Sequence, residues 1–468
     1  MVINSLNFLL FFILVFSLYY IPQRDKNIQN TILFIANYAF YAFANWYMCL
    51  FLLIMNIATY WMGIKIEKSK KNIYVVLSII IGLIPLIYYK YYHFLLESIY
   101  DTFHLIGVHM HESTVKIALP LGISFFTFKI ISYFIEIHKS NIKAEKNFII
   151  LSNYISFFPT IISGPIDRPN SFISQLLVIR KFNYELAVDG CRQILWGLFK
   201  KMVIADNIAN IVNEVWNDYT NLPASTLIWT ACLYSIQIYA DFSGYSDMAI
   251  GVSKLLGFNI IKNFNMPYFS RNMNEFWKKW HISLTSWFTD YIYKPLGGNR
   301  CSKIRHLINI LIVFLVSGLW HGANWTFVLW GAFHGLLLII SILMKQEKYK
   351  EIIAKDKNLP KFTEIVLMLK VFMLSTIGWI LFRAATISDG FLYLKRIFTT
   401  TWLIRPDIHI NILSYIFILF VLEWITRDKE HPLQLKSNKF VSYSLYLFLT
   451  YLIIYHQGQS SDFIYFKF

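Results

Sequence analysis

Charge is scarce in this chain. Asp, Glu, Lys and Arg make up 15% of its 468 residues, against 56% hydrophobic and 18% aromatic residues. With a mean hydropathy of +0.48, the polar surface is too small for a soluble globule of this length, which leaves a polytopic membrane protein. Cysteine is sparse too: Cys49, Cys191, Cys232 and Cys301 are scattered, with no CxxC pair and no metal-ligand spacing. No metal is therefore expected, and the four thiols read as small buried apolar groups. The sequence also has no HExxH, no GxSxG elbow and no Gly-rich phosphate loop, so zincin, serine-triad and P-loop chemistry are excluded. The first apolar run, Ile3 to Ile21, has neither a basic region before it nor a small-residue cleavage site after it. It reads as a retained first span rather than a removed signal peptide.

Acidic residues are the scarcer charge, 27 against 43 Lys and Arg, for a formal net charge of +16. The basic residues are segregated in a way that does not call for nucleic acid. Lys65 to Lys71, Lys139 to Lys146, Lys345 to Lys361 and Arg427 to Lys439 each fall between apolar runs, where the positive-inside rule places cytoplasmic loops. Walking the chain from those anchors gives an all-α membrane protein of about eleven spans with short interfacial or re-entrant helices. The second and third spans turn at Ala44-Asn45. Residues 90 to 116 and the tail from Gln457 to Phe468 then lie outside the inner (cytoplasmic) membrane. No separate soluble domain is visible. Residues 1–468 are expected to form one integral-membrane domain, with N-terminal helices over 1–114, a core over 115–345 and C-terminal helices and tail over 346–468.

Within this frame, Ser317-Gly318-Leu319-Trp320-His321-Gly322 stands out, because an ionisable ring at membrane depth is costly unless it serves a wet cavity or finds a partner. His321 is either a site residue or a satisfied core histidine. It falls near the outward turn of a helical hairpin, between Ile308–Leu319 and Trp325–Leu343. Residues 262 to 300 are aromatic and basic, broken by Pro267, Pro295 and Gly297-Gly298, and cannot cross a bilayer as one helix. They predict short helices at the inner interface, with His281 as the residue that an interfacial anchor does not explain. Tyr239 to Asp247 carries two aspartates, Asp241 and Asp247, and several hydroxyls after an apolar run. It reads as a buried polar network or as part of a substrate site. Gly164 to Pro169 reads as a rigid turn. His104, His109 and His111 read as a solvated loop and His334 as helix packing.

The strings LPLGISFFTFKIISYFIEI, FFPTIISGPIDR, YADFSGYSDMAIG, FNMPYFSRNMNEFWKKWHISL, PLGGNR and LWHGANWTFVLWGAFHG follow one another from about residue 115 to 335, and FIYFKF closes the chain. In this order they resemble the membrane-bound O-acyltransferase family, above all its bacterial branch that O-acetylates alginate and peptidoglycan. The resemblance implies a ring of tilted helices thinned at the centre, and a donor and an acceptor on opposite membrane faces. It implies His321 as catalytic and His281 as a second functional position. It also implies acetyl-CoA as donor substrate with no bound cofactor, and an extracytoplasmic transferase partner that passes the acetyl group to a cell-envelope polysaccharide, peptidoglycan first.

The chemistry suits those residues. A hydroxyl attacking a thioester needs a base, which a histidine with an unperturbed pKa of about 6.5 can be. It also needs donors for the oxyanion, and the N–H groups beside Gly322, the Trp320 indole and Asn324 are all within reach in sequence. In the tail, Tyr465 is either an acyl relay, since a phenolate leaves more readily than an alkoxide, or part of a docking strand. Two rivals remain open on the sequence: a D-alanyl transferase acting on teichoic acid, and a transporter. The transporter should show paired repeats, and none are seen.

Overall fold

In apolar surroundings every backbone N–H and C=O has to be satisfied inside its own segment, and a chain this poor in polar residues meets that demand with helices. The computed structural model describes residues 1–21, 25–107, 119–344, 353–354, 358–435, 438–458, 461 and 463–464, and no strand occurs among them. Tyr465, His109, His111 and most of the Lys345–Lys361 loop lie outside the described residues. Among the described residues five helices are long and apolar enough to cross a membrane: Trp46–Ser69, Asn72–His104, Lys303–His321, Trp325–Leu343 and Phe362–Arg383. Leu6–Tyr20, Ile410–Ile425 and Lys439–Tyr455 are shorter apolar helices. About eleven spans are expected from the sequence, and these eight apolar helices are found among the described residues. Ile123–His138 is a further apolar helix and carries a buried Lys129.

The chain forms two compact units. The first comprises residues 1–190 and 249–261. It contains α1 (Leu6–Tyr20), α2 (Lys26–Ala42), α3 (Trp46–Ser69), α4 (Asn72–Leu86), α5 (Tyr92–Leu105), α6 (Ile123–His138), α7 (Phe148–Ser156) and α8 (Pro169–Leu176). The turn expected at Ala44-Asn45 is there, with Asn45 Oδ1 accepting from the Tyr47 N–H at 2.9 Å and capping α3. Side-chain amides join the helices: Asn37 donates to Asn153 at 3.0 Å, Asn153 to the Asn30 carbonyl at 2.8 Å, and Asn56 to Ser156 at 2.7 Å. Lipid tails are as apolar as leucine and give helices little hydrophobic reason to associate, so such amide bonds and small residues supply the specificity.

The second unit comprises residues 191–248 and 262–468. After α9 (Tyr184–Leu198), a π-helical turn Phe199–Ala205 leads into α10 (Asp206–Asn217), and α11 (Ala224–Leu255) contributes its residues up to Met248. The segment expected to lie in short pieces does so, as α12 (Met273–Lys279) and α13 (Ile282–Phe288). α14 (Lys303–His321) and α15 (Trp325–Leu343) form the predicted hairpin, followed by α16 (Phe362–Arg383), α17 (Ile387–Thr399), α18 (Ile410–Ile425) and α19 (Lys439–Tyr455). A Cβ on Gly318 would collide with the Phe327 carbonyl, and one on Gly331 with the Phe314 carbonyl. The two backbones of the hairpin approach closely because no side chain intervenes at these positions.

Candidate functional site

His321 is the last residue of α14. The helix stops there because Gly322 is extended (φ −163°, ψ 153°) and Asn324 Oδ1 starts α15 by accepting from the Thr326 N–H at 2.9 Å. The imidazole is 4% exposed and packs against Trp320 and Trp330, each 5.0 Å away between centroids, and Phe382 at 5.4 Å. The glycine-paired hairpin thus holds the ring in a fixed aromatic box at the end of a buried helix.

His281 reaches the same place from another element. It precedes α13 with φ +45°, the left-handed region that an L-residue occupies only when its surroundings enforce it. The Ile282 N–H donates to the Asn263 carbonyl at 2.8 Å and the Asn265 N–H to the Lys279 carbonyl at 3.0 Å, and this pairing enforces the turn. The His281 ring is 1% exposed, and its Nδ1 lies 3.0 Å from Asn263 Oδ1. Both histidines line one cavity of about 900 Å³, together with Trp277, Leu284, Phe288 and Ser317, while Lys278, Asn299 and His306 bring polarity to the same lining. Trp320 connects the two, its ring 5.9 Å from His281 and 5.0 Å from His321.

The remaining predicted residues sit elsewhere. Asn324 is committed to structure at both ends of its amide: besides capping α15, its Nδ2 donates to the Ala385 carbonyl at 2.9 Å. With Phe327, Phe382, Arg383, Ser461 and Ile464 it lines a second pocket of about 220 Å³. Asp241 and Asp247 do not line the histidine cavity and instead hold buried lysines. Lys200 pairs with Asp247 at 2.6 Å, while Lys201 pairs with both Asp206 and Asp241 at 2.8 Å. This is the buried network that the density of polar residues had suggested. It also anchors the tail: the Ile464 N–H donates to Asp241 Oδ2 at 2.8 Å, the Ser461 hydroxyl to Asp206 at 2.7 Å, and Lys201 to the Ser461 carbonyl at 3.2 Å.

His334 packs as expected against a small residue, since a Cβ on Gly378 would strike its ring. Trp277 and Trp330 flank it at 5.0 and 5.1 Å, and neither ring nitrogen has a hydrogen-bond partner among the described residues. Sequence reasoning missed Lys200, Lys201 and Asn263. For the lysines a signal was present, because two adjacent cations inside the apolar run from Ile194 to Ala205 call for buried carboxylates. For Asn263 there was none.

Membrane-length helices with two buried histidines on one cavity are the arrangement of an integral-membrane enzyme. Residues 124–348 match the model of MBOAT, the membrane-bound O-acyltransferase family. The chain is 33% identical over 457 residues to a probable alginate O-acetylase of Pseudomonas aeruginosa, covering 94% of this chain and 84% of that protein. It is 34% identical over 394 residues to a peptidoglycan O-acetyltransferase of Helicobacter pylori, covering 78% and 72%. A teichoic acid D-alanyltransferase of Bacillus subtilis matches at 32% over 231 residues, or 47% of this chain and 58% of that protein. The chain belongs to the membrane-bound O-acyltransferase family. Its activity is acyl transfer.

Proposed function

We propose that the protein moves an acetyl group from a cytoplasmic thioester, acetyl-CoA, across the inner membrane for O-acetylation of a cell-envelope polysaccharide, with peptidoglycan as the acceptor. The observation that carries this reading is the single cavity shared by His281 and His321. In this reading the acceptor hydroxyl oxygen attacks the thioester carbonyl while His321 takes its proton. A C–O bond forms, the C–S bond breaks, and the proton passes from His321 to the departing thiolate. Trp320, whose ring packs against both histidines, is the candidate oxyanion donor in this reading, and Asn324, occupied at both ends, is left to shape the second pocket. His281 orients the donor.

The tail supports a second station. Ile464 is held by Asp241 beside the pocket that contains Asn324 and Phe382, and Tyr465 is the next residue. In the relay reading Tyr465 accepts the acetyl group and gives it to an extracytoplasmic transferase that meets the polymer. In the docking reading the strand only seats that partner. The membrane is crossed about eleven times, with the tail on the outer side. A second acceptor, alginate or a similar exopolysaccharide, is favoured by the extent of the match to the alginate O-acetylase. D-alanyl transfer has the shorter match in its support.

The test is mass spectrometry of muropeptides from a strain whose own copy carries His321→Ala. Loss of base-labile acetyl groups is the expected result. Unchanged muropeptides with a deacetylated exopolysaccharide move the acceptor to the second reading, and full acetylation of both sinks the role of His321.

A further inference from the structure

Asn263 is fully buried, and its side-chain oxygen has three neighbours: His281 Nδ1 at 3.0 Å, the Ser283 hydroxyl at 2.9 Å and the Ser283 backbone N–H at 3.3 Å. A backbone N–H can only donate, so the amide atom that meets it is the oxygen and not the NH2. The amide's other end agrees, with Nδ2 donating to Ser246 Oγ at 3.3 Å. An acceptor facing His281 Nδ1 requires that this nitrogen carry the proton, and a neutral imidazole protonated at Nδ1 has its lone pair on Nε2. Nε2 is buried and has no hydrogen-bond partner among the described residues, and His281 is one of the residues that line the cavity shared with His321.

We propose that Asn263, itself steadied by Ser246 and Ser283, is a positioning residue that fixes His281 as its Nδ1–H tautomer. That tautomer keeps the Nε2 lone pair as the acceptor that an N–H or O–H group of a bound substrate would meet. This deepens the acyl-transfer reading above and rests on it for the identity of the substrate, though not for the tautomer. The backbone contributes as well, since the Asn263 carbonyl receives the Ile282 N–H and so fixes the turn on which His281 stands. The rings packed against His281 are Phe242 of α11 at 4.6 Å, Phe264 at 6.2 Å and Trp320 of α14 at 5.9 Å, none of them ionisable. The ionisable groups that line the same cavity are His321, His306, Lys278 and Tyr293.

Two measurements on the full-length protein in membranes test the assignment. The first uses no turnover. Nitrogen NMR of histidine-labelled protein, with the His281 signal identified by its disappearance in His281→Asn, should show a protonated Nδ1 and a bare Nε2. A protonated Nε2 overturns the proposal. The second follows acetyl-CoA consumption against pH. Asn263→Asp keeps the acceptor oxygen and remains active, but its carboxylate favours the imidazolium, so the acidic limb of kcat/KM moves up by about one pH unit. Asn263→Leu lowers kcat by about tenfold or more with KM for acetyl-CoA little changed. An unshifted profile in the aspartate variant, or a folded leucine variant with wild-type kcat, overturns it. A wild-type protein that does not consume acetyl-CoA sinks the donor assignment instead, and the NMR result still decides the tautomer.

Discussion

A buried lysine between two carboxylates is a residue-scale feature with a large energetic consequence. Lys201 is 3% exposed and serves Asp206, Asp241 and the Ser461 carbonyl at once. Removing one member of such a set leaves uncompensated charge in a dry environment, a loss of about 3–5 kcal/mol. Lys201→Met should therefore lower the thermal midpoint in detergent sharply, and Lys201→Met combined with Asp206→Asn and Asp241→Asn should recover part of the loss. A triple variant as unstable as the single one would show that charge pairing is not the cause. At this scale the sequence was informative where chemistry is local. His281 and His321 announced themselves by lying where apolar packing does not account for an imidazole. Asn263 did not, because its meaning comes from Ser283 and His281, which reach it only after α12 has turned the chain back.

The hairpin α14–α15 is the decisive element. Its contact is set by Gly318 and Gly331, each with a carbonyl of the facing helix where a methyl group would be. Gly318→Ala forces the helices apart at the turn before His321, and overpacking of this kind costs about 1–3 kcal/mol. The expected outcome is a protein that still inserts and is still detected at near wild-type level, yet loses most polymer acetylation because the imidazole is displaced from its aromatic box. Unchanged acetylation would mean that the box tolerates the shift. Both helices were legible from the sequence as apolar runs bounded by Lys303 and by Gly322 to Asn324. So were the broken pieces between Pro267 and Gly298. Their convergence on one cavity was not legible, since periodicity describes a helix and not its neighbours.

For the whole molecule, the tail is the long-range feature that matters. Ser461 and Ile464 return to residues more than two hundred positions earlier in the chain, through hydrogen bonds with sequence separations of 255 and 223. Truncation after Ile464 preserves those bonds and removes Tyr465. If the tyrosine is a relay, polymer acetylation disappears while the thermal midpoint stays put. Truncation after Gln457 removes the bonds as well, and both properties should fall. Tyr465→Phe then isolates the hydroxyl, and full acetylation in that variant leaves the strand with a docking role only. Fold class and family were within reach of composition and ordered strings. The fastening of the tail was not, because Asp241 and Asp206 have nothing in their own neighbourhood that points to the last residues of the chain.

The backbone at His281 restricts what can replace it. At φ +45° a glycine is comfortable and an asparagine tolerable, whereas alanine or a branched residue carries a torsional penalty unrelated to imidazole chemistry. An alanine scan through this stretch would therefore overstate the importance of the ring, since part of any defect would be conformational. Asparagine is the better comparator, and a glycine partner would report how much of the effect belongs to the main chain alone.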